Sequence, residues 1–192
     1  MRTLAELKKA LLSIDDVPSG YTLDPPSPDT GGLGARSKNP RCAPFVRLSN
    51  TSKAPGASAT VEVSFSKGQD GPAVDESLDA MGSAARVAAL QASFKAAIAA
   101  CHTVDVTVPG AGTAALTVQA VRPPAFGRNP IAAQMTVAGG PLKGMVFTLV
   151  TTGIGDTVLS MAFVAAPAAD VEAATSVAVD KATQSLGITA GT

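Results

Sequence analysis

The chain holds one histidine and two cysteines, and two of these three residues are neighbours. AIAACHTVDV, residues 97–106, sets His102 directly after Cys101. A Cys–His pair could supply a thiolate and its base, or half of a metal site. Residues 83–101, SAARVAALQASFKAAIAAC, read as a helix with Ser83 as N-cap and an apolar stripe of Val87, Leu90, Phe94, Ile98 and Cys101. Consecutive side chains on a helix diverge by about 100°, so Cys101 extends the buried stripe and His102 turns away from it. A nucleophilic pair needs hydrogen-bond reach and a third orienting group, and neither is visible. Zinc asks for three or four ligands at recognisable spacing, and one His with two distant Cys supplies no such pattern. No metal or other cofactor is expected, and His102 reads as a helix-end histidine favoured by the C-terminal dipole.

Cys42 opens a short helical stretch and Cys101 ends a long one. Two readings stand at this point. The pair forms one structural disulfide, which implies an oxidising compartment, or both are buried thiols of a cytosolic protein. A bridge would tie the irregular Pro/Gly-rich segment 13–57 to the core helix.

Other tempting motifs do not hold. GGLGARSK lies in a Pro/Gly loop with no strand before it and does not fit a phosphate-cradling pattern. NTS at Asn50 is a three-residue match that occurs by chance. No serine sits in Gly-x-Ser-x-Gly. Asp75, Glu76 and Asp79 are close in sequence, but strand alternation sends Glu76 to the face opposite the other two, which argues against a paired-carboxylate hydrolase. With no catalytic constellation, the chain reads as a non-enzyme.

The elements that position these residues follow from periodicity. LAELKKALL, residues 4–12, is a short amphipathic helix, and MRTLAELKK runs into it with no signal-peptide pattern, so either the protein is cytoplasmic or Met1 replaces a removed leader. CAPFVRLSN could hold one or two helical turns. SATVEVSFSKG alternates as a half-buried strand, with Ala59, Val61, Val63 and Phe65 on one side, and GPAVDESLDAM is a second strand joined to it by the SKGQDGP turn. Four more strands are expected at 113–121, 129–139, 143–152 and 156–166, joined by short turns that suit antiparallel neighbours. AADVEAATSVAVDKATQSLG closes as a helix stopped by Gly187. The order α-ββ-α-ββββ-α predicts one α+β domain over 1–192, a mostly antiparallel sheet of about six strands with helices packed on it.

Composition bounds the partners. The 192 residues are 46% hydrophobic and 16% charged, enough for a full core. Fifteen Lys+Arg balance fifteen Asp+Glu, and aromatics are 4% with no Trp, so neither a nucleic-acid-binding face nor a base-stacking platform is supplied. The partner expected instead is a small molecule or an envelope component. The strands 143–152 and 156–166 are apolar on both faces, so something must cover both. Met135, Met145 and Met161 fall on three consecutive predicted strands and could sit side by side. With Phe147 and Phe163 they are the candidate lining of an apolar ligand cleft, and Arg122 and Arg128, flanking the PPAFG turn, a candidate polar rim. Core filling is the competing role for the methionines. Between Asp29 and Glu62 every charged residue is basic (Arg36, Lys38, Arg41, Arg47 and Lys53), which could face an anionic lipid head, a teichoic-type polymer or a phosphorylated ligand, or could be a solvated loop.

LLSIDDVPSGYTLDPPSPD, RCAPF, ATVEVSFSKGQDGPAVDESLDAM and a helix ending AAIAAC together resemble secreted actinobacterial lipoproteins related to the extracellular sensor domains of mycobacterial serine/threonine kinases. The resemblance runs over most of residues 4–187. It implies a secreted or envelope-anchored sensor domain, a Cys42–Cys101 disulfide, an antiparallel sheet with flanking helices, and a cleft for a ligand. It also implies a membrane tether through a lipidated N-terminus lying outside this chain. The kinase sensor domains carry two disulfides where this chain can form one.

Overall fold

The computed structural model describes residues 2–26, 34–68, 71–108 and 112–188. Residues 27–33 of the Pro/Gly-rich segment and 69–70 of the expected SKGQDGP turn lie outside them.

Helix α1 (Leu4–Ala10) starts in a capping box in which Thr3 and Glu6 satisfy each other's backbone amides, and it buries Leu7 and Ala10. A 3-10 turn (Ile14–Asp16) and a two-residue strand β1 (Thr22–Leu23) follow. Strand β2 (Ala35–Arg36) leads to a second 3-10 turn (Pro40–Cys42) and helix α2 (Ala43–Ser49). Then come β3 (Ala59–Ser66), β4 (Ala73–Ala80) and helix α3 (Ala84–Ala100), capped by Ser83 as the sequence suggests. The chain closes with β5 (Thr103–Val108), β6 (Gly112–Val121), β7 (Arg128–Val137), β8 (Val146–Ile154), β9 (Thr157–Val164) and helix α4 (Ala168–Ser185). Gly187 follows α4 at φ +63°, the left-handed stop that glycine adopts without a steric penalty.

The strands form one antiparallel sheet in the order β1-β3-β4-β9-β8-β7-β6-β5-β2. The six expected strands are all present as β3, β4, β6, β7, β8 and β9. The sheet has nine because three were missed. β1 and β2 are two-residue edge pieces with no periodicity to read. β5 does carry a signal, Val104 and Val106 alternating with Thr103, Asp105 and Thr107, but it begins straight after α3 with no turn residue to announce it. Helix α3 acts as a crossover to β5 at the far side of the sheet, and the meander β5 to β9 walks back to β4.

Two separate cores flank the sheet. On one side α1 and α4 pack against β3, β4, β8 and β9, burying Leu7, Phe65, Leu78, Val150, Met161, Phe163 and Ala178. On the other side α2 and α3 cover β5 to β9, burying Phe45, Ile98, Val104, Leu116, Val118 and Val137 with Val87, Leu90 and Val158. Both faces of β8 and β9 are therefore covered by helices, as their apolar runs require.

Candidate functional site

The sulfurs of Cys42 and Cys101 are bonded, with Cα atoms 4.6 Å apart and both residues at 0% exposure. The bridge joins the start of α2 to the end of α3. Helix α3 stops at Ala100, and Cys101 is already extended at φ −121°, so Cys101 reaches the core as the first residue beyond the helix rather than as the last rung of its stripe. His102 is exposed and extended into β5. The two residues diverge because consecutive extended side chains point to opposite sides, not because a helix separates them. A second clamp holds the same segment. The Asn50 carboxamide accepts from the Ala35 amide at 2.7 Å and donates to the Ala35 carbonyl at 2.8 Å. That use of Asn50 is not evident from the NTS motif.

The apolar candidates separate. Met135 and Phe147 are cross-strand partners on the α2/α3 side, where Met145 also packs, and Met145 and Phe147 are half-buried. Met161 and Phe163 lie on the α1/α4 side at 0% and 1% exposure, beneath the helices. The three methionines do not sit side by side, because Met161 belongs to the opposite face of the sheet from Met135. No single cleft can be lined by Met145, Phe147, Met161 and Phe163. Arg122 and Arg128 are exposed at the β6–β7 turn. Arg128 pairs with Gly153, six residues along β8 from Phe147 and so about 20 Å away at strand rise, and the arginines do not rim the Met135–Phe147 patch. The Arg128 carbonyl instead anchors a β-bulge. Buried Gln91 donates to it at 2.7 Å and to Asn129 O at 3.0 Å, with Asn129 at φ +49°.

The carboxylates divide as alternation predicts. Asp79 faces the α3 side and is buried, accepting from the Thr60 hydroxyl and the Ala54 amide; burial raises its pKa, partly offset by these bonds. Glu76 faces the α1/α4 core and meets neither Asp75 nor Asp79.

A surface that no motif announced comes from the diagonal placement of the helices. Among the described residues, α1 and α4 do not extend over β5 or over most of β6 and β7 on their side of the sheet, although Val121 and Ala132 at one end still join their core. β5 sends Val104 and Val106 into the α2/α3 core, so Thr103, Asp105 and Thr107 point to the open side and are exposed. β6 does the same with Leu116 and Val118 inward and Thr113, Thr117 and Gln119 exposed, and β7 adds Gln134 and half-buried Thr136. The register stacks these into cross-strand rows: Thr107 opposite Thr113, Thr103 opposite Thr117, Thr117 opposite Thr136, and Gln119 opposite Gln134.

At the edge of this face Arg36 on β2 stands opposite Asp105. A depression of about 320 Å³ opens there, lined by Arg36, Ser37, Lys38, Asp105, Thr107 and Thr113. It adjoins a second, of about 350 Å³, that shares Thr113 and runs to the Gly139–Leu142 turn. Arg36 and Lys38 bring two cations to the depression, and Asp105, opposite Arg36 in the register, brings one carboxylate. Arg36 and Lys38 continue into the basic run Arg41, Arg47 and Lys53. On the opposite side of the sheet, α3 carries exposed Arg86 and Lys95, and neither α2 nor α3 contains a carboxylate. The depression itself can offer two cations, hydroxyl donors and acceptors, and one carboxylate to a polar anion or a phosphorylated saccharide.

Among the described residues no helix is long and apolar enough to cross a membrane, and no group of three or more His, Cys, Asp or Glu could hold a metal. No family model and no curated protein matches the sequence. Among solved structures, the chain is similar to the extracellular domain of PknH from Mycobacterium tuberculosis, with 18% identity, a TM-score of 0.72, and coverage of 95% of this chain and 97% of that one. The two share a fold over nearly their whole lengths, the likeness the sequence suggested to kinase sensor domains.

Proposed function

We propose that this is a non-catalytic extracellular sensor domain that takes a polar, anionic envelope ligand on the uncovered half of its sheet, beside Arg36 and Lys38. The observation that carries the reading is the depression between β2, β5 and β6, where Arg36 and Lys38 meet a floor of threonine hydroxyls with Asp105 opposite Arg36. An extracellular position is supported by the disulfide, which persists in oxidising compartments, and by the fold shared with an extracellular domain. The non-catalytic reading rests on the fold likeness to an extracellular domain.

Amide chemical-shift mapping with glucose 1-phosphate and a glycerol-phosphate oligomer tests this. Shifts should cluster on Arg36–Lys38, Thr103–Thr107 and Thr113–Thr117 and disappear in an R36E/K38E variant. Binding confined to another face, or none with either probe, overturns the assignment.

A second reading, a carrier of an apolar small molecule, rests on the half-buried Met145 and Phe147 beside Met135. A shift map centred on those residues with a fatty-acid probe would favour it.

A further inference from the structure

Glu76 lies in the middle of an apolar floor. On β4 it stands between Val74 and Leu78, and in the sheet register it faces Met161 of β9 and Val63 of β3. It is 1% exposed. One oxygen, Oε2, accepts a hydrogen bond of 2.6 Å from the Leu12 amide, just past the end of α1. The other, Oε1, meets no partner among the described residues. An ionised carboxylate here has one amide to solvate it, whereas a neutral carboxyl keeps that bond on Oε2 and carries its proton on Oε1.

The lid over this carboxyl is the N-terminal segment. Leu12 links α1 to the Ile14–Asp16 turn, which is closed by hydrogen bonds of Ser13 to the Asp16 carboxylate. Lys181 of α4 clamps the turn through Asp16 and Ser13 Oγ. The charged groups acting on Glu76 from the packed elements are thus Lys181 of α4, which favours the carboxylate, and Asp16 of the turn, which opposes it. β3 and β9 present only Val63 and Met161 in its row, and Lys8 and Lys9 of α1 are exposed. Tyr21 in the same core is pushed further above its ordinary value by burial and stays neutral near pH 7.

We propose that Glu76 is a proton-binding site that sets how firmly the N-terminal segment sits on the sheet. Protonated, it is a neutral part of the floor under α1. Ionised, it places a charge beneath the segment that Leu12 and Lys181 answer only in part, and the segment opens to let water reach it. Burial supports the range, raising this carboxyl to about 7 from an ordinary 4.5, with the Leu12 amide and Lys181 offsetting part of the rise. Acid therefore closes the lid and mild alkali loosens it. The site lies under the covered half of the sheet, and the proposal stands whether or not the open half binds a ligand.

The test follows the Glu76 carboxyl carbon by NMR while amide exchange of residues 4–17 is measured from pH 5.5 to 8, corrected for intrinsic rates. The carboxyl should titrate near 7. If full hydration accompanies opening, protection of α1 should fall roughly 30-fold over that range, as linkage between values of 4.5 and about 7 requires. Glu76→Gln and Glu76→Met should each remove the pH dependence; if one fails to fold, the other and the wild-type titration still decide. A midpoint below 5.5 overturns the proposal. So does a midpoint near 7 with unchanged protection, or the same loss of protection in a neutral variant.

Discussion

Opening the Cys42–Cys101 bridge should have a large and local effect. It closes a loop of 59 residues. In the chain-entropy model such a closure restricts the unfolded chain enough to stabilise the fold by about 4 kcal/mol. Domains of this size have total stabilities of roughly 5–15 kcal/mol, so the reduced protein should still fold but with much of its margin gone. At a urea m-value of about 2 kcal/mol/M the midpoint should drop by about 2 M. Reduced and oxidised wild type is the comparison to make, because Cys→Ala variants also empty space around two residues at 0% exposure and add a cavity cost. Hydrogen exchange should locate the change. With the bridge open, β2 and α2 are held by Ala35 and Phe45 in the core, by Val46 and Leu48 against it, by the two-residue pairing to β5 and by the Asn50–Ala35 pair. These are fewer anchors than the central strands have, so residues 34–50 should lose protection before β6 to β9 do. A midpoint shift under about 0.5 M, or protection lost first in the central strands, would refute the tether argument. Alkylation of both cysteines without reductant would remove its premise.

Three further outcomes are expected. Gly127→Ala should cost at least about 1–3 kcal/mol, because Gly127 sits at φ +71° and an added Cβ would fall against the Thr152 hydroxyl; a urea midpoint within 0.2 M of wild type would contradict it. Gln91→Leu should cost about 2 kcal/mol by removing the donor to the Arg128 and Asn129 carbonyls, and amides of the bulge should show it first; unchanged exchange at residues 128–131 would count against the clamp. Global stability should decline as pH rises from about 4.5 to 7. Glu76 has a folded pKa above its unfolded one, so the folded state holds the proton longer. Its contribution of about 3 kcal/mol is complete below 4.5 and is lost as pH passes through about 7. Asp79, also raised by burial, acts in the same direction from a lower starting pH. A urea midpoint that rises between pH 5 and 8, or a Glu76→Gln variant with the same slope as wild type, would show the sign to be wrong.

What the amino-acid order determined by itself is what adjacent residues decide. Ser83 capping α3, the stripe Val87–Leu90–Phe94–Ile98, the alternation of Val61 and Phe65, and the left-handed stop at Gly187 are all set within a few residues, and the structure has each of them. β5 was legible in the same way, its Val104/Val106 alternation hidden only by its direct attachment to α3. Glu76 was half legible. Alternation put it opposite Asp75 and Asp79, but not under α1, because that depends on where a helix 64 residues earlier in the chain comes to rest.

Tertiary structure alone decided the strand order and which helix covers which quarter of the sheet. The antiparallel meander brings β9 between β4 and β8, which puts Met161 on the face away from Met135 although their strands alternate alike. Alternation says that two faces exist and not which helix covers either. Among the described residues the two helix pairs cover the sheet diagonally, with neither over most of the β5–β7 threonine face, and Arg36 and Lys38 come to its edge. Such placements rest on contacts between residues far apart in sequence, whose free energy depends on the whole packed core, and no local pattern carries that information.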